Sequence, residues 1–246
     1  MIASLAAGRD IRMLPGNGCP GPVAFEAGRL RLISIDTQWW LHEFIVRDDK
    51  STCNTSVAGV TQSLRQLVES IQPGRVVIAT GHHPLMTGGE HGGYCGITGP
   101  FRRLGGNAQD ILSGLNRTMR DSLEAAFRGK PPLLYAAGHD HNLQVMKGAP
   151  SVQYLAVSGA GSEDKAACAV YLRESYYVSQ HRSGFMNVTV WFVSSNLRGF
   201  LCSRRFLIGS SSGLRQLRNY AKAFIPDDSD GAQMIAETTE RRLIKW

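Results

Sequence analysis

RVVIATGHHP (Arg75 to Pro84) and PPLLYAAGHDHN (Pro131 to Asn142) repeat one arrangement: a short apolar run, a glycine, then histidine. Both runs are short, apolar and bounded by turn-forming residues, which predicts buried strands that stop where the histidines begin. Leu64, Leu67, Val68 and Ile71 precede the first run at helical spacing, and Leu112, Leu115, Met119, Leu123 and Phe127 precede the second. The chain therefore predicts two helix, strand, loop units and an α/β fold, with the histidines at strand ends where such folds gather their chemistry.

Outward from these units, LRLISID (Leu30 to Asp36) predicts an earlier strand, and PGNGCPGP (Pro15 to Pro22) before it is too rich in turn residues for helix. VQYLAVS (Val152 to Ser158) predicts another strand, closed by the glycine turn GAGS (Gly159 to Ser162), and FMNVTVWFV (Phe185 to Val193) predicts a further one. Beyond Asn196 the pattern weakens to a small basic helix over Leu214 to Phe224 and an acidic turn, PDDSDG, at Pro226 to Gly231. From Leu197 onward nine Lys or Arg stand against five Asp or Glu, so residues 1–195 read as the main domain and 196–246 as a basic, solvated appendage.

With 246 residues, 43% of them hydrophobic and 19% charged, the chain can bury a sizeable core and is not globally disordered. The net charge of +7 suits an anionic partner, but no run of like charge exceeds two residues, so a solvated basic surface is the simpler reading. The five cysteines (Cys19, Cys53, Cys95, Cys168, Cys202) are odd in number and contain no CxxC pair. Ordinary thiols are expected, neither a disulfide framework nor a cysteine zinc site. MIASLAA (Met1 to Ala7) lacks the basic region and length of a signal peptide, and Arg198, Arg204 and Arg205 interrupt the apolar stretch from Phe185 to Ile208. No signal peptide and no membrane span are expected, and the compartment is left open.

His139 and His141 are two apart, and in an extended segment their side chains leave one face. His82, from the other strand end, closes one side of the same site. A lone histidine after an apolar run is more often a hydrogen-bonded core residue, but three in two matched contexts reverse that preference. Neutral imidazole suits Zn, Fe or Mn, and two such ions can activate water for in-line attack on phosphorus.

GHHP, EHG (Glu90 to Gly92), GHDHNLQ (Gly138 to Gln144) and VSGAGS (Val157 to Ser162) resemble the calcineurin-like metallophosphoesterase superfamily, most closely its purple, tartrate-resistant-type acid phosphatases. The resemblance implies a four-layer αββα sandwich and a dinuclear centre of Fe, Mn or Zn. It implies that His82 and His139 bind one metal and His141 the other, and that His91 contacts the phosphate and assists departure of the alkoxide. Beside these, His83 is expected to leave the strand end opposite His82 and lie by the site without ligating. Asp140, between two ligands, is expected to point to solvent rather than bind metal or orient an imidazole. Asn142 holds its loop by side-chain hydrogen bonds. Asp36 ends a strand and supports the site, and Trp39 and Trp40 pack in the core.

The resemblance covers about Pro15 to Asn187 and only the later part of the family domain. The family's opening DxH, GDxxD and GNH motifs, which carry its metal-binding carboxylates, do not occur in this chain. The expectation is thus a truncated sandwich without its opening strands, with a missing N-terminal segment as a partner. A single weakly held ion between His82, His139 and His141 replaces the full centre.

Three functions fit. The first is a phosphomonoesterase-like hydrolase of phosphorylated small molecules. The second is a non-catalytic remnant or binding module of the same fold. The third, a nuclease, draws on the GHxH string and the positive charge, but EHG favours the acid phosphatases. Nucleic acid is not expected as a partner, because Tyr220 alone interleaves Arg215, Arg218 and Lys222.

Overall fold

The computed structural model describes residues 14–16, 19–42, 53, 55–95, 97–161, 168–180, 184–190, 205–211, 217–224 and 237–240. A seven-stranded mixed sheet organises them, in the order β1 (Val23–Ala27), β2 (Leu30–Ser34), β3 (Val76–Thr80), β4 (Leu134–Ala137), β6 (Tyr154–Ser158), β5 (Leu143–Lys147), β7 (Ser175–Ser179). The four strands β2, β3, β4 and β6 run parallel, while β1, β5 and β7 pair antiparallel at the flanks. The β1–β2 hairpin turns at Gly28, whose φ of 58° falls in the left-handed region that a two-residue hairpin turn demands.

Two helices cross over between the parallel strands. Helix α1 (Val57–Glu69) is started by Ser56, whose hydroxyl accepts the Gly59 N–H, and it buries Val60, Leu64 and Val68 at four-residue spacing. After the single turn α2 (Gly99–Arg103), helix α3 (Gly114–Phe127) is capped by Ser113 and buries Met119, Leu123, Ala126 and Phe127. These stripes share one core with Ile33, Val77, Ala79, Tyr135, Leu155 and Val157. Alternate residues on the same strands, including Ile78, Leu134, Tyr154 and Ala156, form a second core on the opposite face. That period of two makes the sheet apolar on both faces, as a parallel sheet covered on both sides must be.

The opposite face is covered in part by Met186 and Val188 of β8 (Phe185–Thr189). Strand β8 belongs to a second, antiparallel sheet with β9 (Arg205–Ser211), β10 (Leu217–Phe224) and β11 (Glu237–Glu240), ordered β11-β10-β9-β8. Here the expected helix over Leu214 to Phe224 is corrected: residues 217–224 are strand. Apolar residues at 217, 221 and 224 suit a helix stripe as well as a strand, and pairing with both β9 and β11 decides between them.

MIASLAA, the PDDSDG turn, Ser162 of the GAGS turn and the expected boundary at residue 195 lie outside the described residues. Among the described residues no helix is long and apolar enough to cross a membrane.

Leu64 is wholly buried where α1 meets the sheet, so Leu64→Ala removes apolar contact and leaves a cavity. Urea unfolding should register a loss of about 2–5 kcal/mol, against about 0.5 kcal/mol or less for Gln66→Ala on the exposed face. Equal losses at the two positions would mean that α1 does not pack as described.

Candidate metal centre

The carboxyl ends of β2, β3 and β4 lie side by side, and each feeds a short segment bearing a polar side chain. Past β2, Asp36 caps the 3-10 turn Thr37–Leu41 by accepting the Gln38 N–H at 3.0 Å. Thr37 in that turn is wholly buried. Its Oγ1 accepts the backbone N–H of His82 at 3.0 Å and of His83 at 2.9 Å, and lies 2.9 Å from His83 Nδ1. With two donors already received, the hydroxyl gives its one hydrogen to Nδ1. His83 Nε2 then carries the ring proton and donates to Gln109 Oε1 at 2.7 Å.

Gly81, between β3 and the histidines, cannot be larger: a Cβ there would sit 2.4 Å from the Tyr135 hydroxyl and 2.7 Å from Thr37 Cγ2. The same tyrosine hydroxyl donates to the His83 carbonyl at 2.9 Å. Strand pairing continues beyond the strand ends, with the Gly81 N–H donating to the Ala136 carbonyl at 3.1 Å and the Gly138 N–H to the His82 carbonyl at 3.0 Å. His139 is the consequence. Its φ of 66° and the Asp140 N–H to Gly138 carbonyl bond of 2.8 Å make it the centre of a γ-turn in the rare positive-φ form. A non-glycine residue held there costs about 1–3 kcal/mol, strain of a kind concentrated at functional sites.

The turn brings His139 Nδ1 within 3.3 Å of His82 Nε2, while His139 Nε2 lies 3.3 Å from the Gln109 carbonyl. The carbonyl can only accept, so Nε2 bears the proton and Nδ1 keeps its lone pair toward His82. Two nitrogens bound tetrahedrally at about 2.0–2.1 Å from one ion stand about 3.3–3.4 Å apart, so this pair already has the spacing of a two-imidazole grip. His82, His83 and His139 each offer a ligand atom within 4.8 Å of the others and could hold a metal ion. His83 is the weakest of the three, because Thr37 and Gln109 occupy both of its nitrogens. No carboxylate joins that trio among the described residues. The donor set therefore fits one borderline transition-metal ion and not a carboxylate-bridged pair.

Burial keeps the imidazoles neutral, as ligation requires. Desolvation lowers the His139 pKa to about 2, reinforced by the neighbouring His91, His83 and His82. It lowers His83 to about 4 against the opposing hydrogen bond to Gln109. His82, at the exposed edge, is lowered by desolvation, with Asp36 opposing and His141 and His91 adding.

His91 arrives from the loop after β3, its ring packed against that of His139 with centroids 3.9 Å apart and planes tilted by 36°. Its Nδ1 lies 3.0 Å from both Asp110 Oδ1 and Arg102 Nη1. Arg102 Nη2 in turn reaches Glu90 Oε1 at 2.9 Å. The loop is anchored from below by buried polar groups. Asp140 is 2% exposed and accepts from the Thr87 hydroxyl and, at 3.1 Å, from the His91 N–H. Gln144 donates to Thr87 Oγ1 at 2.9 Å and Asn142 Oδ1 at 2.6 Å, and accepts the Gly88 N–H at 2.8 Å. Asn142 Nδ2 donates to the Cys168 carbonyl at 3.3 Å.

Asp36 caps the 3-10 turn, Asn142 donates to the Cys168 carbonyl, and Trp39 and Trp40 are buried, while other expectations are corrected. Asp140 is not solvent-facing, because two donors in the loop below it neutralise the cost of burial. His83 lies beside the grip, but its ring does not leave opposite His82; the centroids are 4.8 Å apart. The segment from His139 is a γ-turn rather than extended, so alternation does not align His139 with His141. His141 is exposed and outside the trio, close enough to His82 to lower its pKa. Contrary to the expectation of ordinary thiols, the cysteines among the described residues are paired, Cys19 with Cys53 and Cys95 with Cys168. Their separations of 34 and 73 residues carry no sequence signal, and only the fold brings their Cα atoms to 5.5 and 5.8 Å. Thr37, Gln109, Asp110 and Arg102 belong to none of the motifs, and Gln144, which closes the GHDHNLQ string, was given no role.

No known protein family and no curated protein matches this chain. Among solved structures it is similar to GAP50, the anchor in the inner membrane complex of Plasmodium, at 15% identity and a TM-score of 0.41. That alignment covers 91% of this chain and 53% of the other, so the chain spans about half the length of that protein.

Thr37→Val keeps the shape and removes the oxygen on which two N–H groups and His83 depend. Unfolding in urea should show a loss of about 2–4 kcal/mol, with Thr37→Ser recovering most of it. A valine variant as stable as the parent would show that this oxygen does not organise the strand ends.

Proposed function

We propose that this chain carries the later, histidine-bearing part of a calcineurin-like metallophosphoesterase domain and serves metal-dependent hydrolysis of phosphate monoesters. The observation that supports this reading most directly is the 3.3 Å approach of His82 Nε2 and His139 Nδ1, with the His91 ring packed against that of His139. On this reading the seven-stranded sheet and the antiparallel sheet on its other face are the two sheets of the sandwich. His82 and His139 would hold one Fe, Mn or Zn ion, with the exposed His141 outside the histidine trio.

A bound ion of this kind supplies Lewis acidity, drawing charge from phosphoryl oxygens and lowering the pKa of water. The remaining work falls to the protein. His91 contacts the phosphoryl group and passes a proton to the departing oxygen. His83, neutral and tied to Thr37 and Gln109, packs its ring beside those of His82 and His139, at centroid distances of 4.8 and 4.4 Å. The loop anchored by Asp140, Thr87 and Gln144 holds His91 in place.

A binding module without turnover is the second reading, favoured by the lack of a carboxylate in the histidine trio among the described residues. The two readings part in one assay. Purified chain supplied with Mn, Fe or Zn should hydrolyse an aryl phosphate faster than His139→Ala, and faster than it cleaves single-stranded DNA. Metal binding with hydrolysis no better than that of His139→Ala would leave the binding module, and preferential DNA cleavage would make it a nuclease.

A further inference from the structure

Asp110 belongs to none of the sequence motifs, yet it is 1% exposed beside the substrate-side histidine. Its Oδ1 lies 3.0 Å from His91 Nδ1 and 3.0 Å from Arg102 Nη1, and its Oδ2 is buried with no hydrogen-bond partner. The carboxylate is held at this spot by its backbone. The Asp110 N–H donates to the Asn107 carbonyl at 2.9 Å, its carbonyl accepts the Ser113 N–H at 2.9 Å, and the next residue, Ile111, donates to the His91 carbonyl at 3.0 Å.

An ionised carboxylate only accepts hydrogen bonds, and a neutral imidazole has one protonated and one bare nitrogen. Were Nδ1 bare, its lone pair would face that of Oδ1 across 3.0 Å. A buried carboxylate with one oxygen unpartnered would then rely on Arg102 alone. With the proton on Nδ1, Oδ1 gains a second donor, and Arg102 keeps its bonds to Oδ1 and to Glu90. Arg102 Nη1 also lies 3.0 Å from Nδ1: with Nδ1 bare it could donate there while two acceptors face each other, and with Nδ1 protonated it turns its hydrogen to Oδ1, so that both donors converge on the buried carboxylate.

We propose that Asp110 is a positioning residue that fixes His91 in its Nδ1–H form, leaving Nε2 as the one nitrogen that takes up a proton from water and passes it to the departing oxygen of a phosphate ester. The catalytic consequence rests on the function proposed above; the tautomer does not. Asp110 thus stands to His91 as the Gln109 carbonyl stands to His139. Two consecutive residues, on one turn between α2 and α3, settle which nitrogen of each ring is bare.

Two-bond proton–nitrogen correlation spectra of 15N-labelled protein, without metal or substrate, read the tautomer directly. The wild type and Asp110→Asn, which keeps an acceptor, should show His91 protonated at Nδ1, and Asp110→Ala should move it toward Nε2–H. With an aryl phosphate, Asp110→Ala should lower kcat by about 10–100-fold at nearly constant KM, and Asp110→Asn should recover most of the loss. A wild-type His91 protonated at Nε2, or an Asp110→Ala spectrum unchanged from wild type, overturns the proposal. If Asp110→Ala does not fold, the wild-type spectrum decides alone. An inactive protein with the Nδ1–H pattern contradicts the phosphatase reading and leaves Asp110's role standing.

Discussion

The parallel pairing of β3 with β4 is the constraint from which the site follows. Register between these strands sets Thr80 opposite Ala136, and backbone hydrogen bonding continues past both strands to Gly81 and Gly138. Two histidines 57 residues apart in sequence therefore emerge at one edge of the sheet. Past the strand ends, backbone N–H and C=O groups that no strand ladder satisfies need polar partners from elsewhere in the fold, and ligands collect there. Here the partners are Thr37, Tyr135 and Gln109, and each is spent on holding an imidazole or its backbone.

That arrangement uses burial in two opposed ways. Desolvation holds the pKa values of His83 and His139 far below the ordinary range, so their rings stay neutral at physiological pH and His139 keeps a lone pair for a cation. The same low-polarity surroundings make any unpaired polar group expensive, and the loop under His91 answers with a closed set of bonds among Asp140, Thr87, Gln144 and Asn142. The Cys95–Cys168 disulfide ties this loop to the segment that Asn142 also grips. Among the described residues, His139 is the one non-glycine residue with a positive φ, which turns its Nδ1 toward His82. Neighbouring structure absorbs the cost of that conformation.

The elements were legible wherever a period or a turn residue fixed them. Both crossover helices, the parallel strands and the Gly-His steps follow from apolar spacing and from glycines that close contacts demand, as at Gly81. Of the site, His82, His139 and His91 could be read because each sits in a local string. Asp110, Gln109 and Thr37 could not: they lie in irregular segments, and their roles depend on residues 19 to 46 positions away. The exposure expected of Asp140 failed for the same reason, since strand alternation does not continue through a γ-turn. Both disulfides and the strand at Leu217–Phe224 depend on long-range pairing that composition does not encode.

The central claim is that His82 Nε2 and His139 Nδ1 are spaced to hold one metal ion. X-ray absorption at the zinc edge, on the chain loaded with one equivalent of zinc, tests it without reference to any reaction. The account predicts two imidazole nitrogens at about 2.0–2.1 Å, and loss of that imidazole scattering in His82→Ala with His139→Ala. An all-oxygen coordination shell, or a spectrum unchanged in the double variant, would contradict it.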